Sequence, residues 1–174
     1  MLRLYTEIAY NSQFHTSMKP LELKAKLINI AIHNLEGIIL ELRGDIKNML
    51  RGEGSTDEGG FNGTKGDFGA VGQENYLREQ AQINRREVEK HEILIQQLKS
   101  IIIDNENVGV VLGSLVYTNH GNFFISQAIR PIELNKITYL FIGTEAPIYS
   151  EMKGKFAGSK FEFRGIEYEI KAVY

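Results

Sequence analysis

Two heptad series of apolar residues, separated by a glycine-rich segment, run between Pro20 and Ile103. Apolar residues at alternating spacings of four and three form one stripe along a helix, and two such helices bury their stripes against each other. The first series is Leu21, Ala25, Ile28, Ile32, Leu35, Ile39, Leu42, Ile46 and Met49, and the second is Leu77, Ala81, Asn84, Val88, His91, Ile95, Leu98 and Ile102. We therefore expect residues 20–104 to form an antiparallel two-helix coiled-coil hairpin.

The segment 52–69 joins the two series and is too rich in glycine to be helical throughout. It predicts an acidic, glycine-rich tip between two helices that are each about 45–50 Å long. Pro20 suits the start of the first helix, because proline is tolerated in the first turn. Asn84 and His91 place polar groups in the second stripe, where such residues commonly set the register of a coiled coil.

A different pattern begins after the turn-rich residues 104–107. Short β-branched or alternating runs follow at 108–118, 123–129, 137–142, 160–163 and 167–173, and glycine-containing turns separate several of them. Between the third and fourth runs, residues 146–155 lack strand alternation and predict one short helix that ends near Gly154. We expect an α+β protein in which residues 105–174 form an antiparallel sheet with this helix.

The N-terminal residues 1–19 are predicted to be an extension. Because a second methionine stands at Met18, two interpretations remain open. Either the functional chain begins at Met18 and the preceding residues pack little, or those residues form an ordinary short strand. They have no signal-peptide layout, and no apolar run approaches the roughly 20 residues of a membrane-spanning helix. We expect a cytoplasmic protein.

Charge and cysteine content exclude several kinds of site. Lysine and arginine (20) nearly balance aspartate and glutamate (22), so the chain is not expected to bind nucleic acid on its own through phosphate contacts. The absence of cysteine removes disulfides, thiolate metal ligands and cysteine nucleophiles. It also fits a reducing compartment.

Three segments of the C-terminal region resemble the Gre transcript-cleavage factor family. The residues that match its motifs are Gly113, Ser114 and Val116, then Pro147, Ile148, Gly154, Lys155 and Gly158, and finally Tyr168 and Ile170. The chain departs from the family pattern at Ala146, Tyr149 and Ser159, where the family has serine, glycine and aspartate. The resemblance implies a C-terminal domain with the fold of FK506-binding proteins, preceded by a coiled-coil hairpin.

The resemblance extends to the start of the second helix, where Gly66 and Asp67 align with the family's motif. Asp67 corresponds to one of two tip carboxylates that, in the family, reach through the secondary channel of RNA polymerase and help hold a Mg²⁺ ion. The second carboxylate position is Ala70. The resemblance thus implies Asp67 as the catalytic and metal-binding residue. The predicted partner-binding residues are Phe68, Asp57 and Glu58 at the tip and Ala146, Pro147 and Ile148 on the sheet domain. The loop acids Glu53, Asp57 and Glu58 either replace the missing metal ligand or are solvated loop charges.

The implied function is a transcription elongation regulator that binds RNA polymerase at its secondary channel. Such a protein is not itself an enzyme, needs no cofactor of its own and shares Mg²⁺ only in the polymerase complex; we expect a monomer without membrane attachment. It either stimulates cleavage of backtracked RNA or competes with factors that do. Two alternatives are a prolyl isomerase or chaperone related to FK506-binding proteins, and a structural adaptor that dimerises through its hairpin.

Overall fold

A computed structural model describes residues 18–52, 68–103 and 109–174 of the chain, with the backbone alone described for residues 52 and 68–74. The protein is α+β: a helical hairpin precedes a six-stranded, mostly antiparallel sheet with one short helix. The contacts of the described residues form two compact units, one within residues 31–100 and one of residues 18–30, 101–103 and 109–174. The domain boundaries proposed from the sequence stay predictions.

The hairpin consists of α1 (Pro20–Gly52) and α2 (Phe68–Lys99). Each helix is about 50 Å long at the usual rise per residue. The heptad prediction is confirmed by burial, since the buried residues include Leu35 and Ile39 on α1 and Ala81, Val88, Ile95 and Leu98 on α2. On the exposed side of the pair, Arg43 Nη2 donates a hydrogen bond of 2.6 Å to Glu92 Oε1. The parts of α1 and α2 within residues 31–100 belong to one of the two units, which we call the hairpin unit.

Two polar residues interrupt the apolar stripe of α2. His91 is half-buried, and its Nδ1 donates a hydrogen bond of 2.6 Å to the carbonyl oxygen of Glu87, one turn earlier on the same helix. Asn84 is half-buried as well. Because the His91 bond is local to α2, it needs no partner on α1. The register-setting role of these residues stays a prediction.

The second heptad series ends earlier than the sequence predicts. α2 ends at Lys99, and Ser100 N donates to the carbonyl oxygen of Gln96 (3.1 Å) where the helix stops. Ile102 lies beyond the helix and is 79% exposed, whereas Ile101 is buried. The prediction that Ile102 belongs to the buried stripe is therefore wrong. The apolar spacing of four and three residues continues to Ile102, although the helix ends at Lys99.

The second unit, which we call the sheet unit, is built around six strands and one short helix. The strands are β1 (Leu115–Thr118), β2 (Asn122–Ser126), β3 (Ile132–Leu134), β4 (Ile137–Gly143), β5 (Lys160–Phe163) and β6 (Ile166–Val173), and the helix is α3 (Pro147–Met152). Their order in the sheet is β3-β4-β2-β1-β6-β5. The predicted short helix is present, and the chain leaves it through Gly154 with φ +71°.

The sheet is mostly rather than wholly antiparallel. β2 and β4 pair in parallel, in a register that aligns Phe124 with Phe141, while the other neighbouring strands are antiparallel. The parallel pair arises because β3 carries the chain back along the sheet edge before β4 begins. The run predicted from residue 108 is a strand only from Leu115.

β3 has no counterpart in the sequence prediction. A two-residue turn, Asn135-Lys136, joins it to β4, and both residues have positive φ (54° and 65°). This is the backbone conformation that tight hairpins prefer, and asparagine tolerates it better than most residues. The turn at Arg164-Gly165 has similar φ values, 55° and 78°. Its glycine made that turn predictable from the sequence, whereas the Asn135-Lys136 turn contains no glycine.

Both faces of the sheet are buried. On one face, α3 packs in a cluster of Val110, Val116, Phe123, Ile125, Ile148, Tyr149, Met152, Phe161 and Ile170. On the other, the buried residues include Leu115, Tyr117, Phe124, Tyr139 and Phe141. The start of α1 belongs to the same unit and buries Leu23 and Leu27. None of the helices in the described part of the chain is long and apolar enough to cross a membrane.

Candidate functional site

The tip residues singled out from the sequence fall at or beyond the ends of the described helices. Asp57, Glu58 and Asp67 lie outside the described residues. Phe68 is the first residue of α2, and Ala70 follows in its first turn. The roles that the resemblance implies for Asp67 and its neighbours, metal binding and contact with the polymerase, stay predictions.

The other predicted docking residues, Ala146, Pro147 and Ile148, form the start of α3. Ala146 precedes the helix with an extended backbone (φ −72°, ψ 135°), and Pro147 follows near the first helical position, where its missing N–H would have no partner in the helix. Tyr149 N donates to the carbonyl oxygen of Ala146 (2.9 Å) and closes the first turn. Ile148 is buried and Ala146 packs partly buried against the same core, whereas Pro147 is exposed. Pro147 thus contributes surface, and Ile148 anchors the helix.

Backbone hydrogen bonds join the second motif segment to the third and to the residue Val110, which lies just before the first. Val110 N donates to the carbonyl oxygen of Lys155, and Gly154 N donates to that of Val110, both over 2.8 Å. Further along the loop, Gly158 N donates to the carbonyl oxygen of Ile170 (2.7 Å). The loop after α3 is therefore held between the segment that precedes β1 and the strand β6.

The first motif segment shapes the turn that leads into β1. Gly113 has φ +87°, and a Cβ atom there would lie 2.7 Å from the carbonyl oxygen of Ile102, so only glycine fits. Ser114 is buried. Its Oγ accepts a hydrogen bond from Val111 N (2.9 Å) and donates one to the carbonyl oxygen of Gly109 (3.4 Å). Both residues thus stabilise the turn rather than present a surface.

The third motif segment lies on β6 and packs against β5 and the turn between β1 and β2. Tyr168 on β6 stacks on Phe161 of β5, with ring centroids 4.9 Å apart and an angle of 8° between the rings. His120, from the turn between β1 and β2, meets the Tyr168 ring edge-on at 5.1 Å. Aromatic pairs of this geometry add to the energy of burial. Tyr168 is therefore also explained by packing.

Sequence reasoning missed a group of exposed apolar residues in the sheet unit. Phe156 is 62% exposed, Leu112 45% and Val111 44%. The signal in the sequence is the composition of residues 153–160, where one phenylalanine stands among two glycines and three lysines. A segment so rich in lysine is unlike a core segment, and its phenylalanine therefore has a surface position.

Charged side chains on the sheet form local ion pairs. Lys160 Nζ donates to Glu167 Oε1 over 2.9 Å, and this hydrogen bond with its charge raises the pKa of Lys160. On β6, Lys171 Nζ lies 2.6 Å from Glu169 Oε1, and the hydrogen bond from Lys171 lowers the pKa of Glu169. Across residues 18–52, 68–103 and 109–174, no three histidine, aspartate or glutamate side chains are grouped so as to hold a metal ion.

Comparisons with known proteins show a distant structural similarity. No family model matches the chain, and no curated protein matches it. Among solved structures, the chain is similar to the transcription factor Gfh1, at 13% sequence identity and a TM-score of 0.31, over 84% of this chain and 92% of that one. Because values this low establish neither a shared family nor a shared function, the function has to be inferred from this chain's own residues.

Proposed function

We propose that this chain is a transcription elongation regulator that binds RNA polymerase at the secondary channel and has no catalytic activity of its own. The proposal rests on one observation: the three segments that carry the Gre-like motifs are brought together in the fold. Residues 113–116, 154–158 and 168–170 are distant in sequence, yet the third segment meets both of the others: Gly158 N donates to the carbonyl oxygen of Ile170, and β1 pairs with β6. Contacts that join the three segments support the interpretation that the motifs belong to one domain and are not chance matches.

The two units have separate roles in this proposal. The helices of the hairpin, each about 50 Å long, provide an arm whose tip carries Asp67. The sheet unit docks at the channel rim through the start of α3, where Pro147 is exposed. Burial of Ile148 keeps that surface in place.

The tip has one of the two carboxylates that the family uses. Mg²⁺ is usually held by one or two carboxylates together with waters and phosphate oxygens, and Ala70 supplies no oxygen ligand. A tip with Asp67 alone would hold the ion weakly. We therefore place this protein with the factors that occupy the channel and compete with cleavage factors.

Binding is tested by mixing the full chain with purified RNA polymerase and following co-migration in gel filtration. Pro147→Glu is expected to weaken co-migration, because it places a charge on the docking surface without removing a buried side chain. Lys136→Glu, in the β3–β4 turn, is the matched control on the same unit and is expected to bind as the wild type does. A wild-type chain that fails to co-migrate with the polymerase contradicts the proposal.

The role of the tip is tested by RNA cleavage in stalled polymerase complexes. The wild type is expected to stimulate cleavage little and to reduce cleavage by an active factor added with it. Ala70→Asp restores a second carboxylate and should increase stimulation, whereas Ala70→Asn adds similar volume without the charge and should not. Strong stimulation by the wild type that Asp67→Ala abolishes would show that one carboxylate suffices, and would overturn the competitor role.

A further inference from the structure

Four exposed apolar residues lie on chain segments that contact one another in the sheet unit. They are Ile102, Val111, Leu112 and Phe156, which we call the apolar patch. The contact between Gly113 and the Ile102 backbone brings the turn 111–112 beside Ile102. Large hydrophobic side chains gathered at one place on a surface commonly mark an interaction site.

The loop after α3 brings Phe156 to the same place. The paired hydrogen bonds between Val110 and residues 154–155 put the start of this loop next to Val111. A Cβ atom on Gly109 would lie 3.0 Å from the carbonyl oxygen of Gly154, so the two segments are close enough that a side chain at this position would crowd the loop. The exposed residues therefore lie on two neighbouring segments that are about forty residues apart in the sequence.

The backbone under the patch is held by hydrogen bonds while its side chains face solvent. Phe156 N donates to Ser159 Oγ (3.2 Å), and Ser159 N donates back to the carbonyl oxygen of Phe156 (3.0 Å). Val111 N is bound by Ser114 Oγ (2.9 Å). A surface that is already ordered loses less conformational entropy when a partner binds.

The lysines that flank Phe156 in the sequence indicate the chemistry of that partner. Lys153 is exposed and Lys155 half-buried, and neither pairs with a carboxylate that the structure describes. Lys160, nearby in the sequence, differs because Glu167 neutralises it. Positive charge beside an apolar surface favours a partner with complementary negative charge.

We propose that the apolar patch, with Lys153 and Lys155, is a docking surface for an acidic amphipathic segment of a partner protein. Apolar side chains of that segment cover Phe156 and the aliphatic residues, and its carboxylates pair with the two lysines. A protein fits better than a single-stranded nucleic acid, because bases stack on aromatic rings and the patch offers one ring among three aliphatic side chains. The inference goes beyond the proposed function and does not depend on polymerase binding.

The test uses the full chain and two synthetic helical peptides that differ only in charge. One peptide carries glutamate and leucine on opposite faces, and the other has lysine at every glutamate position. Binding is measured by fluorescence anisotropy and mapped by NMR on the methyl groups of Ile102, Val111 and Leu112. An oligouridylate RNA is the third probe, so that a nucleic-acid site would be recognised.

The acidic peptide should shift the three methyl signals and bind more tightly than the basic one. Phe156→Ser and the double variant Lys153→Glu/Lys155→Glu should each weaken binding by about tenfold or more, as for central interface residues. Leu40→Ser and Lys47→Glu, which change exposed residues of α1, should bind as the wild type does. Unchanged affinity in the Phe156 variant, methyl shifts elsewhere, no binding by a folded chain, or preference for the RNA would each overturn the proposal.

Discussion

The hairpin unit and the sheet unit bury their apolar side chains in different geometries. In the hairpin unit the buried residues follow one stripe along two helices, so each contributes to a single interface. In the sheet unit, α3 and one sheet face enclose a compact cluster, and the opposite face is buried as well. A side chain enclosed on all sides is harder to replace, because its neighbours relax only partly into the space it leaves. The sheet unit should therefore be the more sensitive to substitution.

The largest effect is expected in the sheet core. Ile170 is fully buried in the cluster with α3, so Ile170→Ala should lower the free energy of unfolding of the sheet unit by about 2–5 kcal/mol. Near-ultraviolet circular dichroism during urea unfolding follows this unit, where most of the described tyrosines lie. Ile166→Ala, on the same strand but exposed, should change stability by about 0.5 kcal/mol or less. Equal effects of the two substitutions would contradict the enclosed core.

The turn before β1 should be the next most sensitive point. Gly113→Ala imposes a side chain on a residue with φ +87° and brings its Cβ within 2.7 Å of a backbone oxygen. We expect a loss of about 2–3 kcal/mol, since backbone strain and overlap both contribute. Gly154→Ala is the matched control, because Gly154 has φ +71° but no atom near the added Cβ. It should cost about 1–2 kcal/mol from the backbone conformation alone. Stability is measured by urea unfolding. Equal stability of the two variants would contradict a steric overlap between the added Cβ at residue 113 and the Ile102 carbonyl oxygen.

Ion pairs should contribute little in either unit. A double-mutant cycle of Arg43→Ala and Glu92→Ala should give a coupling energy of about 0.2–1 kcal/mol, because both side chains are exposed. The cycle on Lys160 and Glu167 in the sheet unit should likewise show only weak coupling, since that pair is exposed too. Both couplings should fall as salt is added, because salt screens exposed charges. A coupling well above this range in the hairpin alone would show that its helices depend on the ion pair.

The smallest effects concern two glutamates, one in each unit. The hydrogen bond from Lys90 lowers the pKa of Glu87, as the one from Lys171 lowers that of Glu169. A carboxyl whose pKa is lower in the folded state stabilises the fold above its ordinary pKa of about 4.3. That contribution is lost as the pH falls through the lower, folded value. Carbon NMR titration should place both values below the ordinary one, and Lys90→Ala and Lys171→Ala should each raise only the neighbouring glutamate's pKa.

The parts of the fold that depend on neighbours in the sequence were predictable. The helical stripes follow from residues three and four apart, and the Arg164-Gly165 turn follows from a glycine. The turn at Asn135-Lys136 was missed because its residues adopt positive φ without glycine. The end of α2 was missed because the apolar pattern runs on to Ile102. In the candidate site, the motif residues were found by resemblance, but their sequence gives no sign that Ile148 is buried while Pro147 is exposed.

Periodicity along the chain determined the helices and most of the strands, because the spacing of apolar residues sets which side chains share a face of one element. The helix after β4 was indicated by the absence of strand alternation. Tertiary structure alone decided the parallel pairing of β2 with β4 and the closeness of residues 109–114 to the loop after α3. It also decided which apolar side chains stay outside. Ile102, Val111, Leu112 and Phe156 are as hydrophobic as core residues, and only the long-range arrangement of the chain leaves them in contact with solvent.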